Sequence, residues 1–121
     1  MSVPVLDAAA WSARLMELPR HGAAKVTAFY EHRMGAVCRD ARFLLVPLDD
    51  HMVHRGDAIF ESLSFLEGRI VQLDAHLARM RHSAERLKLT PPCSWDEVRS
   101  IMIDVAKAGG EPCGGLKVLL G

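Results

Sequence analysis

The chain has 121 residues, half of them hydrophobic and a quarter charged, with fifteen lysines and arginines balanced by fifteen aspartates and glutamates. That suffices for one domain with a core and is too little for two, while a neutral chain whose lysines are only Lys25, Lys88, Lys107 and Lys117 lacks the basic stripe of a nucleic-acid binder. No apolar run approaches the roughly 18 residues that span a bilayer, and the opening MSVPVLD has neither the basic start nor the apolar centre of a signal peptide. Cys38, Cys93 and Cys113 are odd in number and widely spaced, which suggests neither a disulfide framework nor a zinc knuckle. A cytoplasmic protein with reduced thiols is the expectation.

In chain order, Asp7 is placed to cap a helix through about Leu18, with Trp11, Leu15 and Leu18 on one stripe and Pro19 just past the end. It reads as a packing or covering helix. The β-branched and aromatic run Lys25–Tyr30 and the run Met34–Cys38 read as a hairpin. Phe43–Val46 is apolar but is stopped by Pro47, too brief to assign. Ala58–Leu66 and Arg69–Leu73 flank Glu67-Gly68, where glycine supplies the positive φ of a tight turn, and these are expected to be the central antiparallel strands.

Asp74 then reads as the cap of a helix through about Leu87, whose apolar stripe is Leu77, Met80, Ala84 and Leu87. His76, Arg79, Ser83 and Arg86 recur at spacings of three and four and share a second stripe. After Pro91-Pro92, Ser94 and Glu97 form a capping box opening another helix, with Val98, Ile101, Met102, Val105 and Ala108 on its apolar face and Gly109-Gly110 at its end. Leu116–Leu120 reads as a last strand that should run on into a turn or a further element. The pattern implies an α+β fold, an antiparallel sheet with helices packed on one side.

Ionisable residues concentrate between Pro47 and Met80. Arg79, in the second turn of a helix that follows a strand, can present a planar fork to a phosphate or carboxylate; the competing reading is a solvated helix arginine paired with a surface carboxylate. Asp49, Asp50, His51, His54 and Asp57 can be read as a metal cluster or, more simply, as residues that cap turns. Arg55, before Gly56-Asp57, can clamp a substrate carboxylate or be an ordinary solvated charge. Phe60 reads as core or as a substrate contact, and Glu61 needs a partner if it is buried. No GxSxG elbow supports a serine nucleophile.

The string LDDHMVHRGDAIFESLSFLEGRIVQLDAHLARMRHSAERL, from Leu48 to Leu87, resembles the amino-terminal part of the class IV, or fold type IV, pyridoxal-phosphate-dependent aminotransferases. That family includes branched-chain and D-amino-acid aminotransferases and aminodeoxychorismate lyase. The matching features are Arg-Gly-Asp before a strand that carries Phe-Glu, the strand-Gly-strand hairpin, and His-Leu-x-Arg with a Ser-Ala pair on the following helix. The DDHMVHRG wording is nearest to the D-amino-acid branch. The resemblance runs from about Val26 to Gly121. It divides the chain into an N-terminal extension with a helix, 1–25, and the small N-terminal domain of a fold type IV aminotransferase, 26–121.

What the resemblance implies is an enzyme that uses pyridoxal 5′-phosphate to move an amino group between an amino acid and a 2-oxo acid, assembled as a homodimer. The charge balance and the lack of a long apolar run argue against nucleic-acid and membrane partners, and no metal is expected because the Asp49–Asp57 cluster lacks a further ligand-spaced motif. By the resemblance, Arg79 matches the residue that binds the cofactor phosphate. Phe60 matches the aromatic wall of the substrate pocket, Arg55 falls at a substrate-facing position, and His76 and Glu61 take supporting roles. The family carries the cofactor as a Schiff base on a lysine in a second, larger domain, a role not given to Lys117, so the 121 residues alone are expected to be inactive. An aminodeoxychorismate lyase-type member of the family and a non-catalytic dimerising or binding module are the alternatives.

Overall fold

The computed structural model describes residues 2–121. Its elements follow the order α1 (Ala8–Glu17), β1 (Phe29–Glu31), β2 (Ala36–Cys38), α2 (His51–His54), β3 (Ile59–Leu66), β4 (Arg69–Ile70), α3 (Leu73–Leu87), α4 (Trp95–Ala108) and β5 (Cys113–Leu120), with 3-10 turns at Ala23–Lys25 and Ala41–Phe43.

β3 organises the molecule. Its sequence alternates, so Glu61, Leu63 and Phe65 are buried on one face while Phe60, Ser62, Ser64 and Leu66 are exposed on the other, the period-two consequence of an extended backbone. The strand pairs antiparallel with β5 along its whole length, from Ile59 opposite Leu120 to Leu66 opposite Cys113. On its other side β4 pairs only at Phe65 and Leu66. The sheet order is therefore β4-β3-β5. The first of the two expected central strands is central, whereas the second is a two-residue edge piece.

The connecting turn explains both the hairpin and its brevity. Glu67 and Gly68 both have positive φ, 49° and 77°, the left-handed pair whose twist matches a two-residue hairpin. Four residues on, Gln72 again turns left-handed at φ 52°, which ends the ladder and starts α3. Gln72 rather than Asp74 thus stands at the N-cap, without a side-chain capping bond. Asp74 lies in the first helical turn, where its charge suits the helix dipole, and accepts from Arg99 Nε at 2.9 Å.

Helices α3 and α4 cover the Leu63 face of the sheet, as the α+β reading expected. Leu63, Leu73, Leu77 and Met102 form the buried cluster, with Ile70, Trp95, Val98 and Leu116 packed around it. Met80 and Ala84 continue the buried stripe of α3, whereas Leu87 is exposed. On α4 the buried residues are Met102 and Ala106, the second one position round from the face drawn from the sequence. Gly114 of β5 lets the Phe65 ring approach: a Cβ there would lie 2.9 Å from its Cζ.

The capping box at the start of α4 is formed in both directions. Ser94 Oγ accepts from Glu97 N at 3.1 Å, and the Glu97 carboxylate accepts from Ser94 N at 2.7 Å. Ser94→Ala removes one acceptor for the orphan amides of the first turn, and is expected to lower stability by about 1 kcal/mol in urea titration while leaving the slope of the transition unchanged.

The N-terminal third departs furthest from expectation. α1 forms, with Asp7 Oδ1 accepting from Ala10 N at 2.8 Å, but buries none of its residues and leaves Trp11 66% exposed. A cap and good helix formers suffice to fold it locally, while the buried core is built by the sheet with α3 and α4. One tie to the remainder is the Arg42 guanidinium, which donates to the Met16 carbonyl. The expected hairpin exists as β1 paired with β2, Phe29 opposite Cys38, shorter than predicted because Lys25 ends a 3-10 turn instead. It makes its own two-stranded ladder, and Arg39 Nε, just past β2, donates to the Ala108 carbonyl at 2.8 Å. Among the described residues no helix is long and apolar enough to cross a membrane.

Candidate functional site

Glu61 is the one charged residue buried among the described core residues, 5% exposed, and it is placed there by alternation along β3. Helix α3 crosses the same face and presents His76 and Arg79 one turn apart. Arg79 Nε and Nη2 donate to the two Glu61 carboxylate oxygens at 2.7 and 2.6 Å, a bidentate pair. His76 Nδ1 lies 2.9 Å from Glu61 Oε2 and 3.5 Å from Arg79 Nη2. The Arg79 hydrogen bonds hold the Glu61 carboxyl down to about 2, against burial, which pushes it up, and with further help from His76. The same contact raises the pKa of the Arg79 guanidinium.

Only one edge of that guanidinium is used. Arg79 has five N–H donors and Glu61 engages Nε and Nη2. The side chain is 67% exposed, and among the described residues Nη1 has no hydrogen-bond partner. A fork fixed along one edge and free along the other is a suitable receptor for a phosphate or carboxylate.

The two faces of β3 divide the other predicted residues. Phe60, next to Glu61, points to the uncovered face and is 61% exposed, with the Lys117 ammonium 4.6 Å from its ring centroid. The sheet therefore separates Phe60 from Arg79, and the two do not line one closed pocket within this chain. They share a border nonetheless. Because β4 pairs only at Phe65 and Leu66, and Val71 N donates to the Ser64 carbonyl, the stretch of β3 from Ile59 to Leu63 has no strand on the edge away from β5. Glu61 with Arg79 flanks that open edge on one side and Phe60 on the other.

Arg55 is exposed in the loop that leads into β3 from α2. The loop sits at the Ile59 end of the sheet, since a Cβ at Gly121 would come within 2.9 Å of Met52 Cε and 3.1 Å of the Asp57 carbonyl oxygen. Arg55, Phe60 and the Glu61 cluster thus gather at one end. Within the loop Asp50 caps α2, accepting from Met52 N at 2.8 Å, and among the described residues no three His, Cys, Asp or Glu side chains converge as metal ligands.

A shallow concavity of about 590 Å³ opens at the opposite end of the sheet, bordered by Arg69, Gln72, Asp74 and Arg99. Two of its charges satisfy each other, and it holds none of the expected site residues. Cys38, Cys93 and Cys113 are free thiols; burial, with Glu97 nearby, pushes the Cys93 thiol up, the reverse of what a reactive thiolate needs.

The pairing of Glu61 with Arg79 and His76 was not assigned from the sequence, but its signals were present: a carboxylate at an inward position of an alternating strand, and a basic pair three apart on the next helix. The meeting of Lys117 with Phe60 had no local signal, because it depends on the register that sets Lys117 opposite Ser62.

The profile of a family described as amino-transferase class IV matches residues 58–121. A chloroplastic D-amino-acid transaminase of Arabidopsis thaliana is 33% identical over 119 residues, covering 98% of this chain and 31% of that protein. The crystal structure of the Escherichia coli branched-chain amino acid aminotransferase superposes with a TM-score of 0.62 at 20% identity, over 70% of this chain and 29% of the other. The likeness to that structure is one of fold. The 121 residues span about a third of the length of these relatives.

Proposed function

The chain belongs to the amino-transferase class IV family, and from that premise we propose that it supplies the phosphate-gripping part of a pyridoxal 5′-phosphate-dependent aminotransferase that moves an amino group between an amino acid and a 2-oxo acid. The observation that carries this reading is the free outer edge of Arg79, a guanidinium already locked along its inner edge by Glu61. A charged donor group fixed in this way suits a phosphate monoester, so the donor set fits the cofactor.

When bound, the cofactor supplies the electron sink for amino-group chemistry. This chain's own residues hold and orient. Arg79 takes the phosphate, with His76 and Glu61 supporting its side chain. Arg55, exposed at the same end of the sheet, takes a substrate carboxylate, and Phe60 walls the substrate on the uncovered face. Lys117, over the Phe60 ring, is given no cofactor-carrying role. The division at 25/26 stands as part of this proposal, supported by the absence of buried residues on α1.

The exposed apolar residues of the uncovered face, Phe60, Leu66 and Leu119, support assembly as a homodimer, and the free thiols suit the cytoplasm. Branched-chain and D-amino acids are the substrate classes we propose. An aminodeoxychorismate lyase-type member would use the same phosphate grip, and substrate turnover by the whole protein distinguishes the two.

Titration with pyridoxine 5′-phosphate, which keeps the phosphate and lacks the aldehyde that reacts with surface lysines, tests the grip by nuclear magnetic resonance. Arg79→Ala is expected to weaken binding roughly tenfold or more, the scale of a hydrogen-bonded ion pair. Equal binding by the variant would remove Arg79 from the site.

A further inference from the structure

Arginine carries a long side chain whose ordering on binding costs affinity, so a site that uses an exposed helix arginine gains from whatever orders it beforehand. At Arg79 the ordering group is visible. Glu61 is buried, cannot itself reach solvent, and engages Nε and Nη2 together, which fixes both the position of the guanidinium and the plane in which its outer edge lies. His76 Nδ1 steadies the same carboxylate at 2.9 Å, so Glu61 has little freedom to swing away.

Resting on the phosphate-grip reading above, we propose that Glu61 is a positioning residue: through its bidentate contact it presents the outer edge of Arg79 in one orientation to a phosphate monoester. This assigns a reason for a carboxylate in the core beside an anion site. On charge alone Glu61 opposes a dianion, because it neutralises the cation that would attract one. Its contribution is geometric, and geometry and charge can be separated by substitution.

Glu61→Asp keeps the charge and shortens the reach by one methylene, so that both Arg79 nitrogens are no longer held at once. Coulomb attraction for the ligand is then unchanged, and only the ordering of Arg79 is lost. With pyridoxine 5′-phosphate and with inorganic phosphate as probes, Glu61→Asp is expected to weaken binding roughly three- to tenfold, the cost of immobilising one long side chain on binding. The salt dependence should be unchanged, because the charge count is the same.

A second readout follows Arg79 directly. In the unliganded wild-type chain its Nε–H should exchange slowly with solvent and its two Nη groups should give separate nitrogen-15 signals in the cold, and Glu61→Asp should collapse them. Unchanged affinity in Glu61→Asp, or a freely rotating Arg79 guanidinium in the wild type, overturns the proposal; the second of these needs no variant to fold. Failure of the underlying reading looks different. Arg79→Ala would then bind the phosphate probes as well as wild type, whatever Glu61→Asp does.

Discussion

Met102→Ala is expected to cost about 2–5 kcal/mol of stability, with the midpoint of urea unfolding falling accordingly. Met102 is 3% exposed and belongs to the cluster it forms with Leu63, Leu73 and Leu77, where α4, α3 and β3 meet. Truncation removes the thioether and leaves a cavity whose walls belong to three different elements, so that no single one can shift to close it without opening contacts elsewhere. The core is small: α4 contributes only Met102 and Ala106 as buried residues. Losing the larger of the two therefore empties the centre of a contact that Trp95 and Val98 of the same helix border, and loosens the seat of the β1–β2 hairpin through Arg39 and Ala108. Met102→Leu conserves volume and should cost less than about 1.5 kcal/mol. A Met102→Ala loss no larger than that of Met102→Leu would show that α4 is held by its capping box and periphery instead.

Legibility from sequence followed the range over which each signal acts. The capping box at Ser94 and Glu97 and the left-handed turn at Glu67-Gly68 depend on residues within three or four positions, and the structure contains both. The stripe carrying His76 and Arg79 was equally plain, since helical periodicity alone puts them together. What closed the site was the long-range pairing with Glu61, eighteen residues before Arg79, which required knowing which face of β3 the helix would cover. Asp74 departs from its expected capping role for a related reason. A lone Asp before an apolar run has the form of a cap, but the left-handed Gln72 had already started the helix, and Asp74 was left free to bind Arg99. Trp11 shows the reverse failure: its stripe is amphipathic, but amphipathicity cannot say whether a surface is available to receive it. The separation of Phe60 from Arg79 follows from strict alternation along β3, which puts Phe60 and Glu61 on opposite faces.

Arg79→Met should expose the energetic role of Glu61 through pH. In the wild type Glu61 is held down to about 2 in the folded state, chiefly by Arg79, against an ordinary value of 4.5. The folded pKa is depressed, so the ion pair's stabilisation is fully present above about 4.5 and is lost as pH falls through about 2. With Arg79 replaced by a methionine of similar reach, burial is left acting on the carboxylate with His76 as its remaining partner, and the Glu61 pKa rises. At neutral pH the variant should be less stable than wild type, chiefly through the cost of a buried carboxylate deprived of its main cation, an effect softened by the solvent exposure of Arg79. As pH drops from about 4.5 toward 2, Glu61 protonates in the variant while the wild type loses its ion pair, so the gap between the two stability curves should close. Urea titrations of both proteins across that range measure the gap directly. Parallel curves, with a constant difference from neutral pH down to about 2, would mean that methionine at this position acts through packing and that the Glu61 contact contributes nothing to stability.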